Sequence, residues 1–295
     1  MTKTAWVFPG QGSQAVGMGV DLLDIPTAKE KFKQAEQILG WSVPEICQSQ
    51  EDKLSSTLYT QPSLYVVESI LVDVMRDRGY QPDLVAGHSL GEYVALYAAG
   101  VFDFEAGLRL VKRRSELMDA AAGGMMVALI GFNRDQLEDQ IQQTRDVVLA
   151  NDNSPAQVVI SGTPAAVEEV LGKVKAKRAV PLNVSGAFHS PFMATPAAEF
   201  QDFLESLPFA DAQVPVLSNV EPIPAVDGEV LKERLKRQMT GSVRWREISM
   251  QLPLEGISRV VEIGPGKVLT GLIKRMCSEL VLENVSNIAE LEAFP

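Results

Sequence analysis

The segment "DLVAGHSLGEYVALYAAG", residues 83 to 100, runs a short apolar stretch into Gly87-His88-Ser89-Leu90-Gly91 and follows it at once with a helical pattern. No other local pattern in the chain restricts the fold as much. Gly-x-Ser-x-Gly between a strand and a helix is the nucleophile-elbow form. Its two glycines let the chain turn sharply and let strand and helix backbones approach, so the serine hydroxyl is pushed out at the strand's carboxyl end. "LVA" reads as a buried strand, and "EYVALYAAG" is alanine-rich, lacks proline and ends on Gly100 as a helix does. Ser89 is either a nucleophile or a serine in a tight turn without chemistry, and the correct flanks on both sides favour the nucleophile.

The first 120 or so residues alternate short apolar strands with helices, the pattern of a parallel sheet covered on both faces. From Gly123 the order changes: strand "MMVALIG", helix "RDQLEDQIQQT", strand "VVLAN", strand "VVISG", helix "PAAVEEVLGKVKAK" and strand "RAVPLNV". That βαββαβ order is the ferredoxin-like unit, which closes a small antiparallel sheet by itself. The alternation then resumes with "PAAEFQDFLESL", "VPVLSNV", "EVLKERLKRQM", "RVVEIG", "KVLTGLIKRM" and "LVLENV". The expected architecture is therefore α/β. An α/β-hydrolase-like core with a parallel sheet and the elbow spans residues 1–123 and 187–295, and a ferredoxin-like small domain is inserted at 124–186. A cleft between an insert and its host is where a substrate is expected to bind.

A serine hydroxyl is a poor nucleophile at neutral pH and needs a neighbouring base. The chain has two histidines. His88 directly precedes Ser89, so its side chain should diverge from the serine's and pack or hydrogen-bond within the turn. His189, in "SGAFHSPFM", falls between the last strand of the insert and the next helix of the host, at the rim of the expected cleft, and is the candidate base. Glu199 is the one acid near it in sequence. A distant carboxylate or a backbone carbonyl could orient the imidazole instead.

Charge and cysteine narrow the setting. A formal net charge of -11 argues against nucleic acid or an anionic membrane as the main partner. The amino terminus has no long apolar run and no stretch reaches membrane-spanning length, so a cytoplasmic protein is expected. Cys47 and Cys277 form no CxxC and have no histidine at ligand spacing, so free thiols are expected and no metal site. "PGQGSQ" lacks the Gly-Lys-Ser/Thr ending of a phosphate loop and does not complete GxGxxG.

Six ordered segments, "FPGQGSQAVGMG" at 8, "TQPSL" at 60, "GHSLGEYVAL" at 87, "NDNSPAQVVISG" at 151, "SGAFHS" at 185 and "VVEIGPGKVLTGL" at 260, resemble the malonyl-CoA:acyl carrier protein transacylases across nearly the whole chain. The resemblance implies ping-pong transfer. Ser89 takes malonyl from malonyl-CoA as an ester, and the phosphopantetheine thiol of acyl carrier protein then removes it, with His189 as general base and acid. It further implies a backbone carbonyl orienting His189, which falls by position on Arg244, and an oxyanion hole from the backbone N–H groups of Gln11 and Leu90. Arg114 would bind the substrate's free carboxylate, a planar two-bond match that acetyl cannot make. Leu110, Val111, Arg114, Leu117 and Met118 share a helical face, which turns Arg114 inward. Phe188 would disfavour an α-methyl branch, giving a preference for malonyl over methylmalonyl and not absolute selectivity, and Asn153 would sit at the cleft.

No permanently bound cofactor is implied. The resemblance further implies an acidic, transient carrier protein as partner, a monomeric enzyme, and a product that feeds fatty acid or polyketide extension. The densest basic runs available to such a partner are "GKVKAKRA" at 172 and "LKERLKRQ" at 231, each of which could equally be a solvated helix face. Two other readings keep their place: a serine hydrolase passing the acyl group to water through the same pair, and a non-catalytic acyl-binding protein.

Overall fold

In "KTAWVF" the side chains of Trp6 and Phe8 belong to one apolar cluster and those of Ala5 and Val7 to another, and all four are buried. A strand buried on both faces belongs in the middle of a parallel sheet. The computed structural model describes residues 2–49 and 52–294. Its strands are β1 (Lys3–Phe8), β2 (Leu84–Gly87), β3 (Met125–Phe132), β4 (Val147–Ser154), β5 (Gln157–Gly162), β6 (Ala176–Pro181), β7 (Val216–Leu217), β8 (Ile257–Ile263) and β9 (Val281–Val285). Five of them form one parallel sheet in the order β7-β2-β1-β8-β9, with β1 at its centre.

The cluster on the Trp6 face gathers helices Pro26–Leu39, Thr57–Asp77, Gly91–Ala98 and Phe104–Ala120. The cluster on the Val7 face gathers Trp245–Leu254 and Val268–Ile273. The remaining four strands make a separate antiparallel sheet in the order β4-β5-β3-β6. Val127, Leu129, Val158 and Ile160 pack there against helices Arg134–Gln143 and Pro164–Lys173. The alternate residues Met126, Ala128 and Val159 belong to the cluster of the parallel sheet. Period-two alternation thus turns one face of the small sheet to its own helices and the other to the body of the protein.

Backbone pairing fixes how the two sheets meet. Asp152 N–H donates to Val243 O at 2.9 Å and Val243 N–H donates to Ala150 O at 2.8 Å, so the end of β4 zips onto the segment that leads into helix Trp245–Leu254. The Asp152 carboxylate, nearly buried, accepts from Arg134 of the small unit and Arg246 of that helix, each at 2.8 Å. Helix Trp245–Leu254 carries no expectation from the sequence pattern, and "VPVLSNV" yields only the two-residue β7. Pro215 brings no N–H to the ladder, and Asn219 is drawn into hydrogen bonds with the elbow. The last strand of the small sheet ends at Pro181, earlier than "RAVPLNV" suggests, which leaves Leu182 and Val184 to line the cleft.

Candidate active site

Three non-glycine residues have positive φ, and two of them are Ser89 (51°) and His189 (55°) among the described residues. Holding such residues in the left-handed region costs energy that the surroundings must offset, and such strain concentrates at functional sites. At the elbow the surroundings are specific. Ser89 N–H donates to Asn219 Oδ1 at 2.7 Å, and Asn219 Nδ2 returns a bond to Gly87 O at 2.6 Å, so one side chain clamps both sides of the turn. A Cβ on Gly91 would lie 2.0 Å from Phe8 O, which shows how closely helix Gly91–Ala98 starts against the end of β1. Gly10 is equally constrained, since a Cβ there would meet His88 O at 2.4 Å. The loop carrying Gln11 and the elbow are therefore nested backbone to backbone.

Ser89 Oγ lies 2.8 Å from His189 Nε2. The other ring nitrogen, Nδ1, is 2.9 Å from Gln238 O, and since a carbonyl only accepts, Nδ1 carries the proton and Nε2 is left free to take one from Ser89. Gln238, not Arg244, supplies this carbonyl. The helix Gly228–Gln238 ends there, and last-turn carbonyls have no partner within their own helix. Arg244 caps the next helix, where its carbonyl accepts from Ile248 N–H at 3.0 Å while its guanidinium pairs with Glu247. Glu199 is likewise elsewhere, exposed and paired with Arg113. Burial first, and the charge of Arg114 second, push the His189 pKa down to about 3. The imidazole is neutral at physiological pH, as a base must be.

Arg114 is fully buried. It donates to Gln61 Oε1 at 2.7 Å, Gln238 Oε1 at 3.0 Å and Ser89 Oγ at 3.1 Å, and its Cζ lies over the Tyr93 ring, 5.3 Å from the centroid. These hydrogen-bond acceptors are all neutral, and among the described residues Arg114 Nε has no hydrogen-bond partner. Among the described residues no carboxylate hydrogen-bonds to this buried guanidinium, which is held by amides and a hydroxyl, with Glu92 acting on it only at longer range. It lies beside Ser89, on the inward face that its helical spacing predicts.

Ser89 and His189 line a cavity of about 60 Å³ together with Gln11, Gln61, Met118, Met126, Phe188 and Leu182. A second of about 160 Å³ adjoins it through Gln11, His88, Asn151 and Leu182, and runs past Gly12, Asn153 and Val268. The inner space suits a short acyl group and the outer one an extended arm leading to it. Gln11 faces both, with its side chain tethered by a bond to Thr57 Oγ1 at 3.0 Å, and Leu90, the residue after Ser89, caps the start of helix Gly91–Ala98. Phe188 is buried in the inner wall. Asn153 lies one step removed, its Oδ1 2.8 Å from His88 Nε2, and His88 packs near Trp245, so this histidine diverges from Ser89 as its place in the turn requires.

Four residues enter the site that sequence reasoning did not single out: Gln61, Glu92, Asn219 and Gln238. Gln238 carries a faint signal, since Leu231, Leu235 and Gln238 share the buried stripe of their helix. Glu92 carries a stronger one, a charge in an otherwise apolar helix. The basic run of 231–238 is largely neutralised: Lys232 and Lys236 face Glu205, while Arg234 and Arg237 pair with Glu221. In the other run Lys173 pairs with Glu169, and Lys175, Lys177 and Arg178 are exposed.

Comparison with known proteins matches this geometry to a family. The family model described as "Acyl transferase domain" matches residues 5–293. A malonyl CoA-acyl carrier protein transacylase of Synechocystis is 62% identical over 292 residues, covering 99% of this chain and all of the relative. The crystal structure of the Synechocystis malonyl-CoA:ACP transacylase superposes with a TM-score of 0.98, at 62% identity over 99% of this chain and 100% of that one. A polyketide-biosynthesis malonyl CoA-acyl carrier protein transacylase of Bacillus subtilis is 43% identical, over 92% of this chain and 96% of its own. A malonyl-transacylase solved with a type II polyketide acyl-carrier protein has a TM-score of 0.93 at 37% identity, over 99% of this chain and 98% of that one. A match over nearly the full length, with the elbow, its histidine and the buried arginine in one cleft, means that the chain belongs to the acyl transferase domain family.

Proposed function

We propose that this chain is a malonyl-CoA:acyl carrier protein transacylase in which Ser89 and His189 are catalytic and Arg114 selects the acyl group by its carboxylate. The observation that carries the reading is the buried Arg114 guanidinium 3.1 Å from Ser89 Oγ with only neutral acceptors on it, beside the 2.8 Å Ser89–His189 contact. A malonyl carboxylate completes that pairing. An acetyl group leaves it incomplete, and sites built for such a group reject an analogue lacking it strongly.

In the first half-reaction His189 Nε2 takes the Ser89 hydroxyl proton while Oγ attacks the thioester carbonyl of malonyl-CoA. The tetrahedral oxyanion is held by the backbone N–H groups of Gln11 and Leu90, whose loops the nesting of Gly10 and Gly91 brings together. Collapse expels the coenzyme A sulfur, which leaves with the proton from His189. The second half-reaction runs the same steps in reverse with the phosphopantetheine thiol of acyl carrier protein as nucleophile, deprotonated by His189. Phe188 restricts the space beside the α-carbon, and Asn153 orients His88 at the neck between the two cavities.

The strand order β4-β5-β3-β6 with two helices on one face supports reading residues 124–186 as an inserted ferredoxin-like unit. Ser89 at the end of β2 supports an α/β-hydrolase-like core for 1–123 and 187–295. The transfer uses side chains and backbone alone, so the reading needs no resident cofactor. It carries with it a cytoplasmic monomer whose partner is the carrier protein, and among the described residues no helix is long and apolar enough to cross a membrane.

Intact-protein mass spectrometry after brief mixing with malonyl-CoA, in parallel with acetyl-CoA and with Ser89→Ala, tests this. A malonyl adduct that needs Ser89, is weak with acetyl-CoA and moves onto phosphopantetheinylated carrier protein is the expected result. An adduct lost equally fast to water without carrier protein would make the chain a hydrolase, and no adduct would remove Ser89 as nucleophile.

A further inference from the structure

Glu92 is a carboxylate that the transfer steps above do not use. It sits on helix Gly91–Ala98, and acids are common near a helix start because they favour the positive end of the macrodipole. Such residues usually face water, whereas Glu92 is 1% exposed. Its Oε2 accepts from Gln238 Nε2 at 2.8 Å and from Asn219 N–H at 3.2 Å.

Gln238 is the hub of these contacts. Its Nε2 donates to both Glu92 and Ser89 O at 2.8 Å, its Oε1 accepts from Arg114 at 3.0 Å, and its backbone carbonyl faces His189 Nδ1 at 2.9 Å. An amide has one accepting and one donating end. With a carboxylate on one side and a guanidinium on the other, only one orientation works, since the flipped amide would set N–H groups against Arg114 and an oxygen against Glu92. Asn219, the other residue on Glu92, holds Ser89 N–H. A direct Glu92–Arg114 pair would fill the guanidinium and exclude a substrate carboxylate. Interposing the amide steadies Arg114 while keeping it, among the described residues, free of a direct carboxylate hydrogen bond.

Resting on the transferase reading, we infer that Glu92 is a positioning residue for acyl-group selection: through Gln238 it fixes the Arg114 guanidinium towards the substrate carboxylate. The acceptor oxygen of Glu92 does this, so a glutamine, whose carbonyl can receive both N–H groups, replaces it and an apolar residue of similar size does not.

The test measures KM and kcat for malonyl-CoA and acetyl-CoA with Glu92→Gln and Glu92→Leu, with thermal unfolding alongside. Glu92→Gln should keep the malonyl-to-acetyl preference within about threefold of wild type, and Glu92→Leu should lower it by about tenfold or more, the scale of one lost bond to a charged group, chiefly through KM for malonyl-CoA. If Glu92→Leu does not fold, Gln238→Met cuts the same bridge while keeping the backbone carbonyl, and should lower the preference likewise. A preference unchanged in the apolar variants with only the melting temperature reduced would overturn the role, and so would Glu92→Gln as impaired as Glu92→Leu. Wild type run in parallel separates the failures: if it forms no malonyl adduct, the transferase reading falls first.

Discussion

Replacing Arg114 with methionine, which nearly preserves length and removes charge, should uncouple activity from stability. In the free protein the change leaves Gln61 Oε1 and Gln238 Oε1 without their donor, at about 1 to 3 kcal/mol each. Against this it removes a buried guanidinium that has no carboxylate on it, and relief of such a desolvated charge is of order several kcal/mol. The two nearly cancel, so unfolding free energy should change by less than about 2 kcal/mol, a shift of several degrees at most for a chain of this size. For malonyl-CoA nothing cancels. Removing one partner of a buried ion pair costs about 3 to 5 kcal/mol, which predicts a fall in kcat/KM of roughly two to four powers of ten. Acetyl-CoA has no carboxylate to lose and should fall by about tenfold at most, through the lost 3.1 Å bond to Ser89 Oγ. Paired kcat/KM measurements and a melting curve check this. Equal losses for the two donors would refute carboxylate recognition and leave Arg114 as a support for Ser89 alone.

Gly91→Ala should abolish adduct formation and lower the melting temperature, because its Cβ would lie 2.0 Å from Phe8 O and backbone cannot swing aside as a side chain can. Asp152→Asn should lower stability by about 1 to 3 kcal/mol, less than for a wholly buried pair because Arg134 and Arg246 are partly exposed, and should slow adduct formation since β4 lines the cleft; urea unfolding and adduct kinetics read both. Two variants should change the pH dependence of stability in opposite directions. His189, with its pKa pushed down to about 3, contributes stability that is full above the unfolded value near 6.5 and is lost as pH falls, by about 1.4 kcal/mol per unit, so His189→Gln should flatten the acid limb. Glu68 is buried, neither of its oxygens has a hydrogen-bond partner among the described residues, and burial followed by the charge of Glu262 raises its pKa well above the carboxylate range. Its contribution is full below about pH 4.3 and is lost as pH rises, so Glu68→Gln should gain on wild type with increasing pH, and parallel curves for the two proteins would contradict this.

The parts of the site that local pattern dictates were legible in the sequence. Ser89 was readable because a strand-to-helix turn around a serine needs glycines at fixed offsets, and Arg114 faced inward because Leu110, Val111, Leu117 and Met118 share its stripe. His189 could be reached by elimination, there being only two histidines. The carbonyl on His189 was not readable, because a backbone oxygen has no residue type. Helix Trp245–Leu254 was missed for a related reason. Its turns are interrupted near the end by Pro253, and what seats it is the pairing of Val243 with β4, about ninety residues away in sequence. That same pairing holds the segment just after Gln238, whose carbonyl, amide oxygen and amide N–H groups meet His189, Arg114 and Ser89. The elbow can therefore be read locally, whereas the constraint on His189 and Arg114 passes through the junction between the two sheets, and on the proposed function substitutions there should alter acyl selection while leaving the elbow intact.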